Sequence, residues 1–180
     1  SGEAAEIGTR IHDIIDNWAL KRPLPDSIQL YGDDVVDADI ILAPVIKTLS
    51  DFRTQRTEFV TVNPGLGYAG TVDMEAFNSN GVAGLIDFKT KKTKPGAKIR
   101  LSDAHVMQLA AYHASEYAPG LGPEEINWEG QWAANIYIST TEPGRVELKI
   151  WNSIELALAF DGFSSCCGLW RYLKGYDARR

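Results

Sequence analysis

The feature that most constrains this chain is a change of period. Up to residue 53 its apolar residues recur at helical spacing. Ile7, Ile11, Ile14, Ile15 and Trp18 mark one face of a helix over 4–21, closed by Pro23 and Pro25, and a second helix is expected over 38–53. From residue 58 the pattern alternates in twos. "EFVTV", "YAGTVDMEAF" and "VAGLIDFKT" read as strands, and "NSNG" at 78–81 supplies a turn that makes the last two a hairpin. "SDAHVMQLAAYHASEYA" returns to helix, with Ser102 or Asp103 as N-cap and Pro119 beyond its end. "QWAANIYIST" and "RVELKIW", joined at "TEPG", form another hairpin, and an amphipathic helix over 153–172 follows, with Phe160, Phe163, Leu169 and Trp170 among its apolar positions. The order αα, βββ, α, ββ, α predicts an α/β (α+β) fold: a central mixed sheet flanked by helices.

With 180 residues, 44% of them hydrophobic and 23% charged, the chain suits one globular domain over 1–180. No apolar run approaches the roughly 20 residues that cross a bilayer, and no signal segment opens the sequence, so a cytoplasmic protein without membrane contact is expected. Cys166 and Cys167 are adjacent in the last helix. Two neighbouring thiols build neither a disulfide framework nor a four-cysteine cluster site, and core positions are expected for both.

The formal net charge of −6 speaks against coating nucleic acid by bulk electrostatics, yet it leaves room for a local basic site. "KTKKTKPGAKIR" carries Lys89, Lys91, Lys92, Lys94, Lys98 and Arg100 with no acidic residue. Such a run is as often an idle solvated loop as a phosphate-gripping patch. Its neighbours decide.

In "GLIDFKTKK", Asp87 and Lys89 occupy one face of a strand otherwise built of apolar residues. As an exposed ion pair they would contribute little. Asp73, from "GTVD" on the partner strand, brings a second carboxylate to the same hairpin, and two carboxylates beside one lysine describe an oxygen-rich site for a hard divalent cation. Gly70 and Gly84 remove side chains near this strand pair, which either bends the strands or admits a ligand or another backbone. His12 lies off the isoleucine stripe of its helix, on a face with Ala5, Gly8 and Ala19 that permits close approach to the sheet. Gln108 and Tyr112 sit one helical turn apart, with His105 nearby, either as a wet polar edge or as groups that orient a phosphate or base.

"GTRIH", "GTVD", "IDFKT" and "QLAAY", in this order and at these spacings, resemble the RecB-like exonuclease branch of the PD-(D/E)XK nuclease superfamily, which includes phage exonucleases and the mitochondrial genome-maintenance exonuclease. The resemblance spans Gly8 to Tyr112. It implies a restriction-endonuclease-like core in which His12, Asp73 and Asp87 hold Mg²⁺ or Mn²⁺, with the Phe88 carbonyl as a further ligand. Lys89 is then the catalytic lysine, and Gln108 and Tyr112 contact substrate. Glu58 is implied as a second-tier ligand, through water or to a second ion. Some members of the branch carry an iron–sulfur cluster on four cysteines; with two, this chain is expected to have none.

The chemistry is consistent with that expectation. Phosphodiester hydrolysis needs an activated water, neutralised charge at phosphorus and help for the leaving oxygen, which a metal and a lysine on one face supply. Lys91, Lys92 and Lys94 then become a patch for the DNA backbone. The expected substrate is DNA, single-stranded or with ends, in the cytoplasm of a bacterium or a phage-infected host. Three other readings compete: a catalytically silent nucleic-acid-binding module of the same fold, a structure-specific endonuclease, and a small-phosphoester hydrolase that leaves the six basic groups unexplained.

Overall fold

The computed structural model describes residues 2–179. Helix α1, Gly2–Ala19, buries Ile7, Ile11, Ile14 and Ile15, the stripe seen in the sequence. A short antiparallel ribbon of β1, Ser27–Gln29, and β2, Val35–Asp37, follows, which the sequence pattern had not disclosed. Helix α2, Ala38–Leu49, buries Ile41, Leu42, Val45 and Leu49 and stops short of residue 53, because Arg53 already opens a strand.

That strand, β3 (Arg53–Asn63), pairs antiparallel with β4 (Tyr68–Phe77), which pairs antiparallel with β5 (Ala83–Lys91). Helix α3, Asp103–Tyr117, crosses over to β6, Ala133–Ser139, which lies parallel to β5. β7, Val146–Trp151, closes the five-stranded sheet in the order β3-β4-β5-β6-β7. Helix α4, Ser153–Lys174, starts from a capping box in which Asn152 accepts from the Glu155 backbone and Glu155 accepts from the Asn152 backbone. The fold is therefore α/β, a mixed central sheet flanked by helices, as the order of periods predicts. Among the described residues no helix is long and apolar enough to cross a membrane.

Strand alternation divides the core into two layers. Ile86 and Phe88 of β5, with Ala134, Ile136 and Ile138 of β6, pack under α1 and α2. Leu85 and Ala133 face the other way, onto Val106, Leu109 and Ala110 of α3 and Leu156 and Phe160 of α4. Glu75 anchors α3 to the sheet edge, accepting from Arg56 Nε at 2.8 Å and from Tyr117 Oη at 2.7 Å, while Arg56 also pairs with Glu116.

Three sequence expectations are corrected here. Cys166 is exposed and Cys167 half-buried, because the far end of α4 projects beyond the core; Leu169 and Trp170 are exposed for the same reason. Gly70 and Gly84 receive aromatic side chains rather than a backbone or a ligand. A Cβ at Gly70 would lie 2.3 Å from the Tyr112 ring, and one at Gly84 2.3 Å from the Trp132 indole.

Candidate active site

The β4–β5 ladder runs from Phe77–Ala83 to Met74–Ile86 and ends there. Beyond that pair the strands fork, and Asp73 Oδ2 accepts from the Phe88 N–H at 2.7 Å. A carboxylate thus satisfies an N–H near the fork, where the strand ladder no longer does.

β3 and β4 reverse their faces at this level. Thr57 of β3 bonds Asp16 of α1, with Oγ1 2.6 Å from Oδ1, whereas Phe59, two residues on, packs in the α3 layer. Met74 of β4 lies under α1 while Val72 lies in the α3 layer. Strict alternation would keep each of these pairs on one face. The break falls between them, at Glu58, whose φ of +46° is the left-handed conformation that non-glycine residues rarely adopt. That backbone, costly by about 1–3 kcal/mol, puts Glu58 on the side of α1, beside Asp73.

His12, Glu58 and Asp73 offer ligand atoms that all lie within 4.8 Å of one another, with His12 Nδ1 3.7 Å from Asp73 Oδ2. Gly8, one turn earlier on α1, faces Thr90 of β5 closely enough that a Cβ there would be 3.1 Å from its hydroxyl, and this close approach carries the imidazole to the sheet. The cleft above encloses about 470 Å³ and is lined by Asp13, Asp16, Glu58, Asp73 and His12, with no lysine or arginine among the described residues. Burial pushes the His12 pKa down; burial pushes Asp73 and Glu58 up, with Asp16 adding to the rise at Glu58. A site that disfavours its own carboxylate charges is one that a cation would relieve.

Asp87 stands apart from that trio. It is buried, its pKa raised by burial and then by the nearby Asp73, and both of its oxygens are engaged. Lys89 Nζ donates to Oδ1 at 2.8 Å and Asn135 Nδ2 to Oδ2 at 2.7 Å. Lys89 also donates to Gln108 Oε1 at 2.9 Å, and Gln108 Nε2 to Tyr112 Oη at 2.9 Å. Tyr112 can occupy this place because its ring lies across Gly70.

Most of the residues expected from sequence therefore converge, in two connected groups: His12, Glu58 and Asp73 on the α1 side, and Asp87, Lys89, Gln108 and Tyr112 on the α3 side, with the Phe88 backbone between them. Two expectations change. Glu58, expected in a secondary place, belongs to the closest ligand group, and Asp87 does not, its oxygens being turned to Lys89 and Asn135. Two of the lysines of the basic run point to different sides: Lys91 acts on His105 on the α3 side, whereas Lys92 covers the Tyr31 ring with Nζ 3.9 Å from its centroid. In the loop beyond, Arg145 donates to the Lys94 carbonyl.

Sequence reading missed Asn135, Trp151 and Tyr137. Asn135 is fully buried and its Oδ1 accepts from Trp151 Nε1 at 2.8 Å, so a chain of hydrogen bonds runs from β7 through β6 to Asp87 on β5. Tyr137 Oη lies 3.0 Å from His105 Nδ1; burial raises the phenol pKa to about 12 and, with Lys91 and Lys89, lowers the imidazole to about 4. The signal that singled out Asp87, a polar residue inside a buried strand, was present in "AANIYIS" as well.

No family model matches the chain, and no curated protein matches it. Among solved structures it is similar to one described as "Crystal structure of SSO0001", at 21% identity and a TM-score of 0.36, over 71% of this chain and 58% of that one. The chain thus spans less than two thirds of that protein's length.

Proposed function

We propose that the chain is a metal-dependent deoxyribonuclease of the PD-(D/E)XK type, RecB-like branch, that hydrolyses phosphodiester bonds from DNA ends. The observation that carries this reading is the fork between β4 and β5, with Asp73 bonded across it to the Phe88 N–H and Asp87 paired to Lys89 on the same strand.

The donor set fits Mg²⁺ or Mn²⁺. One imidazole nitrogen and two carboxylates within 4.8 Å of one another match ligands spaced around a single ion, whose bond lengths are about 2.0–2.6 Å. The nitrogen favours Mn²⁺. A cation held there supplies Lewis acidity to a phosphoryl oxygen and to water.

The chain's own groups account for the rest. A lysine ammonium has three hydrogens; Asp87 and Gln108 take two from Lys89, so the third can reach the attacking water or a phosphate oxygen. Because Tyr112 Oη accepts from Gln108, its own proton is left for a substrate oxygen. Lys91, on the same side, adds phosphate attraction that the acidic cleft lacks.

The test is digestion of end-labelled linear single-stranded DNA in Mg²⁺ or Mn²⁺, beside covalently closed circles of the same sequence and a chelated control. Linear DNA is expected to be degraded to short products while circles persist. Equal rates on both would overturn end dependence. No cleavage of either would overturn the nuclease.

A further inference from the structure

Helix α4 is apolar on two opposite faces. Leu156, Ala159 and Phe160 are buried against α3 and the sheet. On the far side Ile154, Leu158, Leu169, Tyr172 and Leu173 are between 58% and 84% exposed. At 3.6 residues per turn, Ile154, Leu158, Leu169 and Tyr172 fall within about 60° of one another, with Leu173 beside them and Asp161 and Ser165 between the two pairs. A helix apolar all round is normally covered on both sides.

We propose that this outer face is an interface with a second copy of the chain, in which two α4 helices pack antiparallel about a two-fold axis. The pattern is close to a palindrome. Ile154 and Tyr172, Leu158 and Leu169, and Asp161 and Ser165 lie at nearly equal distances on either side of a point between Phe163 and Ser164. A two-fold interface requires one surface that complements itself. Here the large side chains at each end of one helix meet those at the opposite end of the other, and Gly162 and Ser165 leave room at the crossing. The sole charge on the stripe, Asp161, falls opposite the partner's Ser165 hydroxyl, its own copy on the partner lies about 6 Å along the axis as a like charge that weakens the association, and Arg171 and Lys174 lie off the stripe. Antiparallel packing also sets each helix dipole favourably against the other.

The area sets the strength. A helix of 22 residues presents about 33 Å by 10–12 Å, roughly 350 Å² in projection, of which the apolar share is no larger than the largest patch on an ordinary monomer, a patch that is often functional. Two such faces lie below the 1,200–2,000 Å² of standard complexes, so association is expected to be weak, in the micromolar range or above. This interface does not depend on the proposed activity and leaves the acidic cleft uncovered, since α4 and α1 lie on opposite layers of the sheet.

Sedimentation equilibrium from about 1 µM to about 1 mM, the span in which a small interface titrates, is the test. The unaltered chain is expected to shift from monomer to dimer with concentration. Leu158→Lys alone and Leu169→Glu alone each weaken association at least about tenfold, and both lie on the exposed face, so the fold is retained. L158K/L169E in one chain restores part of the loss, because antiparallel packing brings each lysine to the partner's glutamate. A monomer throughout, as expected if another protein or another segment covers the face, overturns the proposal. So does a dimer indifferent to both single substitutions, and a double variant no stronger than the singles overturns the antiparallel register.

Discussion

Asn135 Nδ2 donates to Asp87 Oδ2 at 2.7 Å, and this bond leaves the other carboxylate oxygen to Lys89. Asn135 is in turn fixed by Trp151, so the orientation of Asp87 is set two strands away from it. Asn135→Leu removes an acceptor from one buried partner and a donor from the other, at a cost of about 1–3 kcal/mol for each buried group left unsatisfied. Thermal unfolding is expected to show a lower Tm. Turnover is expected to fall further than the loss of folded protein explains, with KM nearly unchanged. A full return of turnover whenever the protein is folded would reduce Asn135 to a packing residue.

Tyr112 and Gly70 occupy one space. Gly70→Ala forces the ring away and with it the Gln108 bridge to Lys89. The expected result is a loss of about 1–3 kcal/mol in stability, typical of overpacking, together with a marked loss of kcat. Gly84→Ala meets Trp132 with the same closeness but away from Lys89, so it lowers stability and spares kcat in the folded fraction. Equal kinetic effects from both would disconnect Tyr112 from the chemistry.

Glu58 joins strain to a ligand position. Glu58→Gly relaxes the left-handed backbone while removing the carboxylate. Stability is expected to be unchanged or higher by up to about 1 kcal/mol, while Mn²⁺ affinity measured by calorimetry falls. His12→Ala is expected to weaken Mn²⁺ binding without any gain in stability. If Glu58→Gly titrated like the unaltered chain, the carboxylate would have no part in holding the ion.

Asp73 and Asp87 have raised pKa values in the folded state, chiefly through burial. Their contribution to stability is therefore fully present below the ordinary carboxylate range, near pH 4, and is lost as pH rises through their raised folded values. His12 is lowered, so its contribution is present above its ordinary value near 6.5 and is lost as pH falls through the depressed one. Of these, Asp73 and His12 belong to the clustered ligands, and both favour a cation most once deprotonated. The rise in Tm on adding Mn²⁺ is thus expected to be larger at pH 7.5 than at pH 5. A metal-induced shift independent of pH would contradict binding at these residues.

The sequence disclosed the helices and sheet strands because their periods are local properties, and Asp87 and Lys89 because charge inside an apolar strand is conspicuous. It did not disclose the grouping of the ligands. That depends on the reversal of faces at Glu58 and on the end of the β4–β5 ladder, and neither leaves a mark in residue type: nothing in "RTEFV" shows a left-handed glutamate. The roles of Gly70 and Gly84 were open for the same reason, since an absent side chain does not say what fills its place. The basic run read as one patch because its residues are adjacent, but alternation on β5 and the clasp of Arg145 on the following loop send Lys91 and Lys92 to different sides.

That division gives its own prediction. Lys91→Gln is expected to weaken DNA binding and reduce the salt slope by about one unit, whereas Lys92→Gln, which takes a lysine from the face of Tyr31, changes the slope less. Binding isotherms over a range of salt concentrations measure both. Identical slopes for the two variants would return the loop to a single undivided patch.

Lys89→Ala, measured in single-turnover cleavage of linear DNA at saturating Mn²⁺ beside a calorimetric Mn²⁺ titration, tests the central claim most directly. Lys89 touches Asp87 and Gln108 but is not among the clustered ligands, so the substitution is expected to leave the metal titration nearly unchanged and to lower the cleavage rate by at least about a hundredfold. Cleavage at near the unaltered rate, with metal bound, would contradict the account of Lys89 as the group that acts on the reacting phosphate.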